Sequence, residues 1–135
     1  MAKARQELEL TVRIGNQPGE LAKLFAAIAE AGINILAYCA YSERNQGVVL
    51  LVTENIHVAR QALESAGYSY KITPVVLVSN ADHVGAVAAV GEHLGSAGIN
   101  ILYSYASSAG ADRFYAVFKT DDNDSAIRVI EKAAS

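Results

Sequence analysis

The first regular pattern in the chain is an alternation of apolar and polar residues over Leu8–Ile14. A period of two is typical of a strand that buries one of its faces. The turn sequence GNQPGE follows, and after it the apolar residues recur every three or four positions, as on one side of a helix. These positions are Leu21, Leu24, Phe25 and Ile28. The pattern therefore predicts a strand, a turn and an amphipathic helix.

Two residues mark the expected ends of this helix. Proline suits the first helical turn because the N–H that it lacks has no partner there, so we expect the helix to begin at Pro18. Asn16 or Gln17 precedes it at the distance of a cap. Glycine readily takes the left-handed backbone conformation that follows many helices, so we expect the helix to stop at Gly32.

The next residues predict two strands joined by a turn, and then a second helix. The strands are expected at Asn34–Ser42 and Val48–Val52, and the helix at Ile56–Ala66. A last strand would begin near Tyr68. This order, βαββαβ, is that of the ferredoxin-like fold, an α+β fold in which both helices lie on one face of an antiparallel sheet.

The six residues AGINIL occur twice, at Ala31–Leu36 and Ala97–Leu102, which lie 66 residues apart. The same spacing aligns the apolar positions of the helices in the two halves. An internal repeat of this kind indicates two copies of one structural unit. We therefore predict two ferredoxin-like units, residues 1–73 and 74–135. The second copy is expected to contain elements at Val75–Ser79, Val84–Ser96, Asn100–Ser107, Arg113–Thr120 and Ser125–Ala133.

The second unit has no residues of its own for a strand after its last helix. Tyr68–Ser79 must supply both the last strand of the first unit and the first strand of the second. We expect Pro74 to interrupt the ladder between them. Three arrangements remain open for the missing strand: the second sheet has three strands, the two units exchange an element, or a partner chain fills the gap.

Two strands carry more apolar residues than a sheet with one solvated face requires. Val48–Val52 is apolar throughout, and Phe114–Phe118 has apolar residues on both faces. We hypothesise that the far faces are covered, either by the sister unit or by a second chain. Gly91 falls within a predicted helix, where we expect it to mark a place of close packing.

Composition and charge exclude several classes of function. The chain of 135 residues has a formal net charge of −3, with its basic residues spread along it, so no nucleic-acid partner is expected. No apolar run is long enough to cross a membrane, and we expect a cytoplasmic protein without a membrane partner. The single cysteine, Cys39, cannot form an internal disulfide and is expected to lie buried in a strand.

No arrangement of residues points to catalysis or to a bound metal. The sequence has no nucleophile elbow, no phosphate-binding loop and no HExxH segment. The three histidines lack the spacing of metal ligands. Asp121, Asp122 and Asp124 lack the remaining ligands of a calcium loop and are expected at the start of a helix. We therefore expect a protein that is not an enzyme and that holds no cofactor.

The segment NQPGELAKLFAAIAEAGINI resembles the ACT domain family, small regulatory domains attached to many enzymes of amino-acid metabolism. The family pattern is a strand, N-x-P-G-x-L, an apolar helix and G-I-N-I, and the first half matches it from Asn16 to Ile35. The second half keeps the glycine and the G-I-N-I segment. It has Asp82, His83 and Val84 where the first half has Asn16, Gln17 and Pro18. The resemblance covers nearly the whole chain and implies a tandem of two such domains.

In this family the ligand, usually an amino acid, sits where the turn before the first helix of one unit faces the start of the second strand of another. Helix N-termini favour a carboxylate, and an asparagine can bond both the amino and the carboxyl group of an amino acid. The candidate ligand-binding residues are Asn16, Gln17, Pro18, Gly19, Asn34, Ile35, Asp82, His83, Gly85, Asn100 and Ile101.

Simpler roles remain open for the asparagines. Asn16 is either an ordinary helix cap or a ligand contact, and Asn34 and Asn100 either hydrogen-bond the backbone of their turns or face a ligand. The predicted function is a regulatory module that binds a free amino acid between its units and signals allosterically to an enzyme or regulator by population shift. We also expect a homodimer. The alternative is an adaptor that binds another protein and has a vestigial pocket.

Overall fold

The computed structural model describes residues 2–81 and 84–134, which form an α+β fold of ferredoxin-like units, as predicted. The elements are β1 (Lys3–Gly15), α1 (Glu20–Glu30), β2 (Ile35–Glu43), β3 (Gln46–Thr53), α2 (Ile56–Ser65), β4 (Tyr70–Ala81), α3 (Ala86–Ser96), β5 (Ile101–Gly110), β6 (Arg113–Thr120) and α4 (Asn123–Ala134). Hydrogen-bonded neighbours among the strands follow the order β2-β3-β1-β4-β6-β5.

One compact unit spans Leu8–Thr73. Within it, β3 pairs antiparallel with both β1 and β2. Leu10 and Val12 of β1 pack in one hydrophobic core with Leu24 and Ile28 of α1, and all four side chains are at most 1% exposed. The apolar positions of the first strand and the first helix therefore face each other, which is why their two periods could be read from the sequence.

The other compact unit consists of Met1–Glu7 together with Pro74–Ser135. In it, β6 pairs antiparallel with β4 and β5, and the beginning of β1 joins the same unit. Ala4 is 8% exposed in a core that contains Val76, and its N–H donates to Oε1 of Glu131 in α4 at 3.2 Å. Of the three arrangements for the missing strand, the exchange of an element is therefore the one observed.

Two strands are longer than predicted because each contributes to both compact units. β1 begins at Lys3 rather than Leu8, and its first residues are too polar to show the apolar alternation. β4 runs through Pro74, so the prediction that this proline interrupts the ladder is wrong. Proline removes one N–H donor from the strand, but its carbonyl still accepts a hydrogen bond, here from Nδ2 of Asn123 at 3.0 Å.

The helix starts differ from the prediction by two residues. α1 begins at Glu20 rather than Pro18, and α3 is delayed in the same way. Each helix follows a glycine N-cap with a positive φ, 89° at Gly19 and 86° at Gly85. That conformation lies outside the right-handed helical region, so a helix starts only after it.

The repeated AGINIL forms the same helix-to-strand joint twice. Gly32 and Gly98 both have a φ of 73°, as expected for a glycine that ends a helix. In the first copy the N–H of Gly32 donates to the carbonyl of Ala29 at 2.9 Å, and the N–H of Ile33 donates to that of Ile28 at 3.4 Å. These are the two bonds of a Schellman motif. The equivalent bonds of the second copy are both 3.0 Å long.

The apolar positions of β3 that face away from the helices are buried. Val48, Leu50 and Val52 are 1%, 8% and 0% exposed. They are buried in the single chain, so their apolar character does not require a second chain to cover them.

Gly91 does not mark close packing, and that prediction is wrong. A Cβ built on Gly91 would meet no atom within 4 Å outside its own helix backbone and its chain neighbours. The residue lies on a side of α3 that has open space, so the missing side chain serves no neighbour.

Candidate functional site

An open groove lies within Leu8–Thr73, beside the turn that joins β1 to α1. Its volume is about 420 Å³. Asn16, Gln17 and Pro18 of the turn line it, together with residues from the end of β2 and the start of β3. Three of the predicted ligand-binding residues therefore line one groove, and Gly19 adjoins them in sequence.

The start of α1 at this groove has no side-chain cap. Gly19 is the N-cap, and no side chain accepts a hydrogen bond at this end of the helix, so the prediction that Asn16 or Gln17 caps it is wrong. Oδ1 of Asn16 instead accepts a hydrogen bond of 3.4 Å from the hydroxyl of Ser42 in β2. Uncapped N–H groups and the positive end of the helix dipole favour a negatively charged group at this position.

Gly47 lines the groove and makes room for the side chain of Ile14. It faces Ile14 across the β1–β3 ladder, and a Cβ built on it would lie 2.6 Å from Cγ1 of Ile14. Two carbon atoms that are not bonded to each other do not approach so closely. Only the strand register identifies this neighbour, so the role of Gly47 could not be predicted from the local sequence.

Glu20 supplies the only ionised carboxylate among the residues that line the groove. Its Cδ lies 3.4 Å from the position that a Cβ on Gly15 would take, so the carboxyl group rests against the end of β1. Among the described residues, no hydrogen bond or ion pair engages this carboxylate. Glu20 is not among the residues predicted from the sequence to bind a ligand, because an acidic residue in the first turn of a helix is common for structural reasons alone.

Asn34 and Asn100 occupy equivalent turns and use their backbones in the same way. The N–H of Asn34 donates to Oε1 of Glu54 at 3.3 Å, and its carbonyl accepts from the N–H of Glu54 at 3.2 Å. Asn100 makes the same two contacts with Asp121, both at 3.1 Å. Both asparagines are exposed. These bonds use only the backbone of each asparagine, so they fix the turn and give the amide side chain no role.

Asn16 and Asn34 lie at opposite ends of the sheet in Leu8–Thr73. The β3 residue that pairs with Gly15 is seven steps along the strand from the one that pairs with Ile35, and seven steps of a strand span about 24 Å. One small ligand therefore cannot contact both asparagines of the same unit. Ile35 and Ile101 pack against the hydrophobic cores of their own units.

The second turn that the sequence analysis selected is described only in part. Asp82 and His83 lie outside the described residues. Gly85 is the N-cap of α3, which has no side-chain cap, as at the start of α1. The two helix starts therefore share the glycine and the uncapped end.

The strands below the second turn differ from those below the first. Phe114 pairs with Asn80, at the position where Gly47 pairs with Ile14 in the first half. Phe114 is 6% exposed and belongs to the hydrophobic core of its unit. The second half thus has an aromatic side chain at the position where the first half has a glycine.

Two ionisable groups outside the groove have shifted pKa values, and both shifts have structural causes. Ser125 donates its hydroxyl and its N–H to the carboxylate of Asp122, at 2.7 and 3.1 Å, and lowers the pKa of that group. This contact caps α4, in keeping with the helix-start role expected for these aspartates. The hydrogen bond to Tyr70 raises the pKa of Arg60.

Residues 2–81 and 84–134 contain no group of three or more His, Cys, Asp and Glu side chains that could hold a metal ion. None of the helices described there has the length and apolar character needed to span a membrane.

Comparison with known proteins identifies the architecture. The family model described as an ACT domain pair matches residues 6–134. A search of curated proteins gave no match.

Solved structures share the fold. Protein BT0572 from Bacteroides thetaiotaomicron has a TM-score of 0.85 at 24% identity, over 97% of this chain and 90% of that one. The ligand-free regulatory subunit of aspartate kinase from Thermus thermophilus has a TM-score of 0.69 at 21% identity, over 99% and 97% of the two chains. Aspartokinase III of E. coli, in complex with lysine and aspartate, has a TM-score of 0.53 at 17% identity, over 97% of this chain and 31% of that one. At these identities the likeness concerns the fold.

Proposed function

The chain belongs to the family of ACT domain pairs, and from this premise we propose that it is a regulatory module that binds a free amino acid or a similar small molecule. The module has no reaction of its own and passes its state of occupancy to an enzyme or regulator. The observation that carries the proposal is the open groove of about 420 Å³ at the uncapped start of α1.

The groove offers partners for each part of an amino acid. The N–H of Glu20 donates to the carbonyl of Gln17 at 3.3 Å. The other N–H groups of the first turn of α1 would receive the carboxylate, because they have no side-chain cap and lie at the positive end of the helix dipole. The Asn16 amide carries both donors and an acceptor. Leu21 and Val48 line the same groove and would contact an apolar part of the ligand.

Contact of Asn34 and Asn100 with the ligand, as predicted from the sequence, is a further part of this proposal. Because about 24 Å of strand separates the two ends of a unit, an asparagine at a strand start would reach a ligand in the groove only from another unit or another chain. A ligand held in this way would stabilise the pairing of two units, and its differential affinity for the paired state would shift the population toward it. A homodimer would provide such pairing.

The two halves are proposed to bind unequally. Gly47 lines the first groove and adds no side chain to it, whereas Phe114 stands at the equivalent place of the second half. We therefore expect one ligand of high affinity per chain, held by Leu8–Thr73.

The test is titration calorimetry and a thermal-shift screen of the full chain against the common amino acids at millimolar concentration. At about 100 times its dissociation constant a specific ligand adds roughly 2.7 kcal/mol of stability, so a clear rise in melting temperature is expected for at least one amino acid. If no amino acid raises it, the sensor function is wrong, and the adaptor alternative gains support.

Alanine substitutions at Asn16, Asn34 and Asn100, with Gln6→Ala as the control, locate the site in the same assay. Asn16→Ala removes a side chain that lines the groove and should weaken binding, whereas Gln6→Ala changes an exposed amide far along β1 and should leave it unchanged. Asn34→Ala and Asn100→Ala test the strand starts separately. Unchanged affinity in both of these would remove them from the site.

A further inference from the structure

The groove contains one negative charge and no positive side chain. Among the residues that line it, Glu20 is the only one that is ionised at neutral pH, and the others are apolar or uncharged. Asn16, Gln17 and Ser42 offer amide and hydroxyl groups but no formal charge. The electrostatic character of the groove therefore depends on the Glu20 carboxylate and on the start of the helix that bears it.

The Glu20 carboxylate lies beside the end of β1. Its Cδ lies 3.4 Å, and its Oε2 lies 3.6 Å, from where a Cβ on Gly15 would be. These are ordinary van der Waals distances, so the carboxyl group lies folded back against the end of the strand.

No side chain among the described residues neutralises this charge. The carboxylate takes part in no hydrogen bond or ion pair among the described residues. It is neither fully exposed nor buried, so it keeps some contact with water and remains open to a ligand. The second half has no counterpart, because Ala86 and Ala81 stand where the first half has Glu20 and Gly15.

From this arrangement we propose that Glu20 binds the ammonium group of the ligand, so that the groove selects small molecules with a free amine and a net charge of zero or plus one. This inference rests on the proposed function of the same groove. The ligand carboxylate lies at the N–H groups of α1, and its ammonium group lies at Glu20, which gives each charge of the zwitterion a partner. A second carboxylate, as in L-aspartate or L-glutamate, meets the like charge of Glu20 without any compensating cation.

The probes are L-leucine, L-lysine, L-glutamate and N-acetyl-L-leucine, titrated into the full chain by calorimetry. L-Leucine or L-lysine is expected to bind, and L-glutamate and N-acetyl-L-leucine are expected to bind at least about tenfold more weakly. Glu20→Gln should lower the affinity for the bound amine about tenfold or more and reduce the discrimination against L-glutamate. Glu20→Asp, which keeps the charge, should retain part of the affinity.

Glu30→Gln is the matched control, since it removes a carboxylate from the far end of the same helix, outside the groove. It should bind the amines as the wild type does, and the thermal unfolding of each variant checks that it is folded. Equal affinity of the wild type and folded Glu20→Gln for L-leucine and L-lysine would overturn the assignment of Glu20 while leaving an amino-acid sensor in place. Preferential binding of L-glutamate would also overturn it. If none of the common amino acids binds, both the inference and the proposed function are wrong.

Discussion

Two threonines at equivalent positions show how the same residue acquires different energetics in the two halves. Thr53 ends β3 and Thr120 ends β6, and they are 4% and 3% exposed. The hydroxyl of Thr120 donates to Oδ1 of Asn123 at 2.7 Å and accepts from the N–H of Asp122 at 3.2 Å. The hydroxyl of Thr53 has no partner among the described residues. The first half has Ile56 at the position of Asn123, which removes the acceptor.

Thr53→Val should therefore stabilise the chain, by roughly 0.5–1 kcal/mol, because it replaces a buried hydroxyl without a partner by a methyl group of similar size. Thr120→Val should destabilise the chain by about 1–2 kcal/mol, because it breaks two hydrogen bonds of a buried hydroxyl, although Oδ1 of Asn123 still accepts from the N–H of Thr120. Urea unfolding of both variants measures the difference. Equal effects of the two substitutions would show that the hydroxyl of Thr53 finds a partner in solution.

At the scale of an element, the glycines inside α3 differ in role from those that follow the helices. It contains Gly91 and Gly95, and a Cβ on either would meet no atom within 4 Å outside the local helix and its neighbours. Glycine weakens a helix because it loses more backbone entropy on folding than alanine does. The glycines that follow the helices are different, since Gly98 has a φ of 73° that an L-residue with a side chain rarely adopts.

Gly91→Ala should raise the free energy of unfolding by roughly 0.5–1 kcal/mol, because the added methyl group enters open space and alanine favours the helix. Gly98→Ala is the matched comparison and should lower the free energy of unfolding by about 1 kcal/mol or more, since it imposes a left-handed backbone on alanine. Thermal unfolding monitored by circular dichroism distinguishes the two. A loss of stability in Gly91→Ala would restore the close-packing interpretation.

At the scale of the whole molecule, β1 and β4 each contribute residues to both compact units. β1 begins in the unit that contains Pro74–Ser135 and ends in the unit Leu8–Thr73, while β4 follows the reverse course. The first residues of the chain therefore supply the strand that the second half lacks. Ala4 contributes to that core, and its N–H bonds the side chain of Glu131.

Removal of residues 2–7 should destabilise the second half more than the first. It takes away a strand with a buried alanine and a hydrogen bond to α4, and we expect a loss of roughly 2–4 kcal/mol of unfolding free energy. Hydrogen exchange should show reduced protection in β6 and α4, with α1 and α2 much less affected.

Arg5→Ala serves as the control for this truncation. It removes only the 2.7 Å ion pair between Arg5 and Glu7, in which the arginine is largely exposed, and should change stability by less than about 0.5 kcal/mol. Unchanged exchange of β6 and α4 in the truncated chain would mean that the second half is stable without the exchanged strand.

The sequence by itself determined the parts of this protein that depend on local pattern. Strand and helix periods identified most of the elements, the glycines of AGINIL marked the helix ends, and the repeat revealed two related units. Local backbone preference and burial of one face act over a few residues, so they leave a periodic record in the chain.

Only the tertiary structure decided where the polar start of β1 lies, how β4 continues through Pro74, and what stands opposite Gly47. These facts depend on strand pairing and on contacts between residues far apart in the chain, which no local period encodes. The turn of the candidate site, with the charge of Glu20, is written in the local sequence GNQPGE. The shape of its groove came from residues of β2 and β3, which only the fold brings beside that turn.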